Sequence, residues 1–160
     1  MAVELRTLGP DDWPLWRAVR LRALVDAPDA FGATLDTEQG YDEHDWREDL
    51  GDGRTVLVVD DGAPVACGAV FEKAPGRAAI VAMWTDPAQR GRGHARRVLD
   101  ALTAWAAERE LTVELGVNRL NEAARSAYAR YGFTATGRSH PLRDGSDQTC
   151  DVWQLGVSRG

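Results

Sequence analysis

Apolar and polar residues follow two different periods along the chain, and the change of period predicts an α/β fold. "VELRTL" near the start alternates as a half-buried strand does. The next segment begins at Pro10 and carries apolar residues at helical spacing, which predicts a helix. A loop containing Pro28 and Gly32 follows, and a second, acidic helix is predicted over Thr37 to Leu50.

The rest of the chain has the pattern of strands interrupted by two helices. "RTVLVVD" and "APVACGAVFEK" flank Asp61-Gly62, a dipeptide typical of a two-residue hairpin turn, and "RAAIVAMWTD" is the next strand. A helix ending near Arg109, the strand "LTVELGV", a helix after Asn121 and the strands "GFTATG" and "CDVWQLGV" complete the order β-α-α-β-β-β-α-β-α-β-β. This order predicts a single domain over residues 1–160, with a mixed, mostly antiparallel sheet of about six to seven strands and helices on both faces.

Composition narrows the class of protein. The chain has 160 residues, 44% apolar and 28% charged, as an ordinary globular domain does. A net charge of -6 argues against a nucleic-acid partner, and no apolar run approaches the roughly 20 residues of a membrane span. Glu4 and Arg6 interrupt the apolar start, so we expect no signal peptide and a cytoplasmic protein. Cys67 and Cys150 lack metal-ligand spacing, so we expect reduced thiols and no metal.

Charge is distributed unevenly along the sequence. Ten acidic residues and only one base lie between Asp26 and Asp52, and arginine dominates from Arg77 to Arg143. Two solvated faces of opposite sign would explain this pattern. Alternatively, a basic site for an anionic ligand lies beside an acidic rim that attracts a cation.

The segment "RGRGHARRVL" has the features of an anion-binding loop. Gly91 and Gly93 precede a predicted helix, where glycine allows positive φ and close approach of a ligand to the backbone. Free amides at a helix N-terminus carry about half a positive charge and bind phosphate, and four arginines add full charges. A solvated surface loop is the simpler alternative. The segment matches neither a Walker loop nor a dinucleotide fingerprint.

Two longer segments together resemble the GNAT superfamily of N-acetyltransferases. They are "MWTDPAQRGRGHARRVL" and "LGVNRLNEAARSAYARYGF". The first contains the family's loop pattern at Arg90, Gly93 and Ala95. The second contains its downstream pattern at Asn121, Ala124, Tyr128, Gly132 and Phe133.

The resemblance implies acetyl-CoA as co-substrate. The loop amides would hold its pyrophosphate, the arginines would neutralise the phosphates, and the end of the preceding strand would pair with the pantetheine arm where the sheet splays open. Asn121 would contact the cofactor, although it also fits a plain helix cap. The residues implied at the cofactor are Met83, Trp84, Thr85, Arg90, Gly91, Arg92, Gly93, His94, Ala95, Arg96 and Asn121.

The resemblance also implies that Tyr128 protonates the leaving thiolate, although a buried aromatic would fit the same position. Family members that acetylate protein N-termini often carry a glutamate five residues before the asparagine, and this chain has Gly116 there. Glu114 lies on the same side of that strand and is a candidate base, although a solvated strand residue fits equally. Weaker candidates are Glu72, Glu38 and His140, the last in a predicted loop. Neither cysteine matches a nucleophile position, so we expect direct transfer.

Three functions remain open at this level. We favour acetylation of a small, cationic amine. In the layout that the resemblance implies, the acidic segment would form one wall of the acceptor site and attract a cation. Acetylation of a protein or peptide amine is the second, and a CoA-binding module without turnover is the third. We expect no nucleic-acid or membrane partner, and a homodimer is compatible with the sequence.

Overall fold

Seven strands form one sheet, in the order β1-β2-β3-β4-β5-β7-β6, in the computed structural model, which describes residues 2–156. Strands β4 and β5 run parallel, and the other neighbouring pairs described are antiparallel. The predicted mixed, mostly antiparallel sheet is therefore confirmed. The strands are β1 (Val3–Leu8), β2 (Arg54–Asp60), β3 (Ala63–Ala74), β4 (Arg77–Thr85), β5 (Thr112–Asn118), β6 (Phe133–Pro141) and β7 (Thr149–Leu155).

Helices cover both faces of this sheet. They are α1 (Trp13–Asp26), α2 (Leu35–Gln39), α3 (Glu43–Asp49), α4 (His94–Glu108) and α5 (Glu122–Tyr131). Helices α1 to α3 pack on one face, and α4 and α5 on the other. Between residues 2 and 156, no helix combines the length and apolarity that crossing a bilayer requires.

The single acidic helix expected over Thr37 to Leu50 is wrong, because this segment forms α2 and α3. Helix α2 ends at Gln39, and Gly40 is its C-cap residue. Asp42 then caps α3, since its side chain accepts from the Asp45 amide at 2.9 Å and its own amide donates to the Asp45 carboxylate at 3.0 Å. This reciprocal cap starts a new helix. Three helices, rather than two, therefore precede β2.

The core consists of two layers separated by the sheet. Strand β2 is buried on both faces, which explains its unbroken apolar run. Val56 and Val58 face the layer under α4, and Leu57 and Val59 face the layer under α1. The hairpin turn predicted after this strand is confirmed, with Asp61 and Gly62 both at positive φ.

The sheet opens where its two parallel strands separate. Pairing between β4 and β5 extends only from Arg77–Thr112 to Ile80–Leu115. Ala82 then adopts a φ of 60°, and the register between β3 and β4 shifts at the same point. This bulge turns the end of β4 away from β5, so residues 81–85 have a strand edge without a pairing partner in β5. The splay implied by the resemblance is present.

Truncation of Leu102 should measure how much the α4 layer contributes to stability. Its side chain is fully buried between α4 and the sheet. Leu102→Ala should lower the free energy of unfolding by about 2–5 kcal/mol, through lost apolar burial and the cavity that remains. Denaturant melts would measure this. Leu120→Ala, at a residue 75% exposed, should change stability by less than about 0.5 kcal/mol, and equal effects would contradict the assigned core.

Candidate active site

The separation of β4 and β5 creates a cavity of about 850 Å³. Residues from the open ends of both strands, from β6 and from helix α5 form its walls. The segment after α1, from Ala30 to Ala33, closes one side. Arg143 ties this segment to the β6–β7 connection, since its Nη2 donates to the carbonyls of Pro28 at 2.8 Å and Phe31 at 2.9 Å.

Helix α4 begins beyond the end of β4 with a loop that contains two glycines at positive φ. Gly93 is the N-cap residue, with a φ of 79°, and Gly91 has a φ of 80°. The first hydrogen bond of the helix runs from the Arg97 amide to the Gly93 carbonyl at 3.1 Å. The amides of residues 94–96 therefore precede the helical ladder and point out of its positive end.

The arginines of this loop differ in how they are held. Arg97 folds back onto the loop, donating to the Arg92 carbonyl at 2.9 Å and contacting His94 Nδ1 at 3.2 Å. Arg90 donates to the Thr85 carbonyl at 3.3 Å. The Arg96 guanidinium lies 5.8 Å from the centre of the Tyr131 ring. Arg97 thus organises the loop backbone, while the exposed Arg90, Arg92 and Arg96 surround it.

Some side chains expected at the cofactor point into the core instead. Trp84 is buried and donates from Nε1 to Asp26 at 2.9 Å. His94 is buried as well, and burial, followed by the charge of Arg97, lowers the pKa of its imidazole. Only the backbone of these two residues is available to a ligand, whereas Met83 lines the cavity.

Tyr128 lies on α5 with its ring in the cavity wall. The ring packs edge-on against Phe133, with 5.9 Å between the ring centres. Burial raises the pKa of its phenol to about 12, so the hydroxyl stays protonated near neutral pH. Asn121 caps the same helix by accepting from the Ala124 amide at 3.1 Å, and it also lines the cavity.

Glu114 also lines the cavity, but it is bound by two cations. Lys73 Nζ lies 2.5 Å from one carboxylate oxygen, and Arg138 Nη2 lies 3.0 Å from the other. Burial raises the pKa of the Glu114 carboxyl, but the hydrogen bonds from Lys73 and Arg138 outweigh it and the net pKa is lowered. A carboxylate stabilised in its charged form is a weak proton acceptor, which argues against Glu114 as the base.

His140 lies in strand β6 rather than in the loop expected from the sequence. Its Nδ1 is 2.8 Å from the Pro141 carbonyl, which can only accept, so Nδ1 carries the proton of the neutral ring. Nε2 is then a free acceptor. It lies 3.6 Å from where a Cβ on Gly116 would stand. The imidazole therefore occupies the space beside the glycine that replaces the expected glutamate.

The other predicted candidates lie elsewhere. Glu38 is buried in a bidentate pair with Arg20, and Glu72 accepts from the Gly76 amide; neither lines the cavity. Burial raises the pKa of the Cys67 thiol to about 12 and, with a smaller contribution from Asp151, raises that of Cys150. Over residues 2–156, no group of His, Cys, Asp and Glu side chains could hold a metal ion.

The carboxylates of the acidic segment lie outside the lining of this cavity, although Ala30 to Ala33 of that segment form one side of it. Of the residues described, Glu114 is the one acidic residue in the lining. Asp26 accepts from Trp84, and Asp49 accepts from Trp16 Nε1 at 2.7 Å. The acidic rim expected from the sequence is therefore not part of the described lining, and two of its carboxylates are bound to indoles instead.

Lys73 and Arg138 line the cavity, and neither was singled out from the sequence as a site residue. Lys73 ends a predicted strand, and Arg138 follows one. Thr134, Thr136, Arg138 and His140 continue a polar alternation that would have extended the strand to the cavity.

Comparison with known proteins supports a common fold. A sequence profile of the Acetyltransferase (GNAT) family matches residues 20–133. The acetyltransferase of the GNAT family from Streptococcus pneumoniae has a TM-score of 0.80 and 16% identity, over 98% of this chain and 100% of its own. No curated protein sequence matches the chain.

Two similar structures contain the cofactor or its product. The PaiA N-acetyltransferase of Thermoplasma acidophilum, in complex with coenzyme A, has a TM-score of 0.74 and 14% identity over 98% of this chain and 100% of its own. The yncA protein of Salmonella typhimurium, with acetyl-CoA, has a TM-score of 0.77 and 16% identity over 100% of this chain and 96% of its own.

Proposed function

The chain belongs to the acetyltransferase (GNAT) family, and on this premise we propose that it transfers an acetyl group from acetyl-CoA to the primary amine of a small molecule. The observation that carries this proposal is one cavity, at the open edge of β4, that contains both a protonated phenol and an imidazole nitrogen free to accept a proton. A CoA-binding module without turnover would need neither group.

The loop before α4 suits the phosphates of acetyl-CoA. Its three amides ahead of the helical ladder supply directed donors, and Arg90, Arg92 and Arg96 supply charge around them. The unpaired edge of β4 offers backbone groups to the amides of the pantetheine arm, as a neighbouring strand would. Met83, Trp84 and Thr85 would take part through their backbones.

Chemistry in the cavity requires protons to leave the nitrogen and one to reach the sulfur. The ammonium loses a proton before its nitrogen bonds to the acetyl carbon, and we assign that proton to His140 Nε2 rather than to Glu114. The carbon–sulfur bond then breaks as Tyr128 donates its proton to the departing sulfur, and the second proton that the nitrogen loses on forming the amide restores the phenol. Both cysteines are held as thiols by their raised pKa values, which favours direct transfer without an acyl-enzyme.

The acceptor is proposed to be a small molecule because the segment after α1, held in place by Arg143, forms one wall of the cavity and limits its size. A volume of about 850 Å³ accommodates the end of the pantetheine arm and a compact amine. The acidic segment contributes no carboxylate to the cavity lining, so it no longer favours a polycationic amine as the acceptor. A protein or peptide amine remains the alternative, and thiol release from acetyl-CoA across small amines and peptides would separate the two.

Replacement of His140 tests the proposed base. His140→Gln should lower kcat/KM about 100-fold near neutral pH, at the low end of general base contributions. Because the variant lacks the nitrogen that would accept the amine proton, its kcat/KM should also no longer follow the pH dependence of the wild type. Thiol release measured from pH 5.5 to 9.5 gives both quantities.

The matched control is His44→Gln, at a side chain 83% exposed on α3, which should leave the profile unchanged. A His140→Gln enzyme with the wild-type profile would exclude His140 as the base. Loss of the acidic limb in Glu114→Gln instead would assign the base to Glu114.

A further inference from the structure

We propose that the acceptor is a carboxylate-bearing amine, similar to an amino acid with an apolar side chain, whose carboxylate binds Arg138 and Lys73 in the cavity. This inference rests on the proposed function and specifies its substrate class. It replaces the cationic acceptor suggested by the sequence with one that carries a negative charge.

The charge of the cavity wall carries the argument. Glu114 is nearly buried, with 6% of its side chain exposed, whereas Lys73 and Arg138 are 39% and 51% exposed. Two cations therefore surround one carboxylate on its open side, and this cluster has a net charge of +1. A partly desolvated positive cluster favours an anionic ligand.

Both cations keep donors for a ligand. Arg138 uses Nη2 on Glu114, and Lys73 uses one of its three ammonium protons on the same carboxylate. Within the described part of the chain, neither side chain makes another hydrogen bond. A guanidinium with free N–H groups binds a second carboxylate with directed, charge-assisted bonds.

The phosphates of acetyl-CoA do not account for this charge. The arginines of the α4 loop lie outside the cavity lining that the structure describes. They surround the helix N-terminus assigned to the phosphates, whereas Lys73 comes from β3 and Arg138 from β6. The pantetheine arm is uncharged, so the positive cluster has no partner in the cofactor.

Spacing along β5 places the cluster at a suitable distance from the proposed base. Glu114 and Gly116 lie two residues apart, about 7 Å along the strand, and both line the cavity. His140 Nε2 lies beside Gly116. An amine near Nε2 and a carboxylate near Arg138 would thus be separated by a short carbon spacer, as in an amino acid.

Apolar side chains cover the floor between these groups. Phe71 and Val81 are 38% and 43% exposed and line the cavity, and Phe71 pairs across the strands with Ala79, which pairs in turn with Glu114. Large apolar groups exposed inside a cavity favour an apolar ligand surface. An apolar side chain on the acceptor would cover them.

Matched acceptors test the charge directly. Thiol release from acetyl-CoA should be measured with L-leucine and with L-leucinamide, which differ in the carboxylate. The wild-type kcat/KM should favour leucine by roughly 10- to 100-fold, the effect of one charge-assisted contact. The amine of leucinamide loses its proton more easily than the amine of leucine. Intrinsic reactivity therefore favours leucinamide, so a preference for leucine would have to come from the enzyme. Spermidine provides the polycationic comparison.

Arg138→Gln should reduce the preference for leucine by raising its KM about 10-fold, and it should leave leucinamide unchanged. Lys73→Gln should act in the same direction. Arg130→Gln, at an exposed arginine on α5 outside the cavity lining, is the control and should change neither substrate.

The outcomes separate the two proposals. Turnover of leucinamide or spermidine at least as fast as of leucine would overturn the carboxylate site and leave the acetyltransferase function standing. An Arg138→Gln variant that slows leucine and leucinamide equally would also overturn it. No thiol release with any amine, in a protein that binds acetyl-CoA, would overturn the proposed function itself.

Discussion

Tyr128→Phe should lower kcat for thiol release by roughly 10²- to 10⁴-fold while the Kd for acetyl-CoA stays unchanged. The substitution keeps the ring that packs edge-on against Phe133 and removes only the hydroxyl. Because burial raises the pKa of this phenol to about 12, the wild-type group carries its proton throughout the range in which turnover would be measured. Its loss leaves the departing thiolate without a donor.

Tyr131→Phe is the matched control on the same helix. The Tyr131 hydroxyl donates to Asp100 at 2.7 Å and lies 3.1 Å from Thr103 Oγ1, on the side of α4. Its removal should cost about 1 kcal/mol of stability and leave kcat unchanged. An unchanged kcat in Tyr128→Phe, with chemistry shown to be rate-limiting by single-turnover measurement, would remove the acid role from Tyr128.

Gly93→Asp should abolish acetyl-CoA binding. Gly93 caps α4 at a φ of 79°, where an L side chain is strained, and an aspartate there adds negative charge beside the amides assigned to the phosphates. For the wild type, acetyl-CoA at 100 times its Kd should stabilise the fold by about 2.7 kcal/mol. In a chain of this size that raises Tm by roughly 5–10 °C.

Gly62→Asp separates the loss of binding from backbone strain. Gly62 has nearly the same φ, 82°, but lies in the β2–β3 turn with no atom within 4 Å of an added Cβ. Both variants should lose some stability, and only Gly93→Asp should lose the Tm increase with acetyl-CoA. A full increase in folded Gly93→Asp would move the phosphate site away from α4.

The local structure of the segments proposed to bind the cofactor was predictable because their parts are neighbours along the chain. The loop from Arg90 to Arg96 and the helix that follows share one continuous backbone, so glycine spacing and the start of the apolar period are enough to place free amides beside arginines. Likewise Asn121 and Tyr128 lie on one helix, seven residues or two turns apart. Their shared face follows from helix geometry alone.

The hairpin and sheet class were predictable for the same reason. Asp61-Gly62 requires two positive φ values whatever surrounds it, and the unbroken apolar run of β2 demands burial on both faces. By contrast, the acidic segment forms two helices because Asp42 and Asp45 make a reciprocal cap there. The residues around Asp42 could also have continued one helix, and the sequence pattern of a few residues does not decide between the two.

The acceptor side was decided by tertiary structure. Lys73, Glu114 and His140 come from three strands, β3, β5 and β6, which are distant in sequence. The sequence determined that this chain has an acetyltransferase fold, with a glycine- and arginine-rich loop at the start of α4 and a tyrosine on α5. Only the assembled sheet decided that the carboxylates of the acidic segment lie outside the cavity lining and that two cations meet beside a buried carboxylate, because residues distant in sequence acquire a common electrostatic environment only when the strands pair.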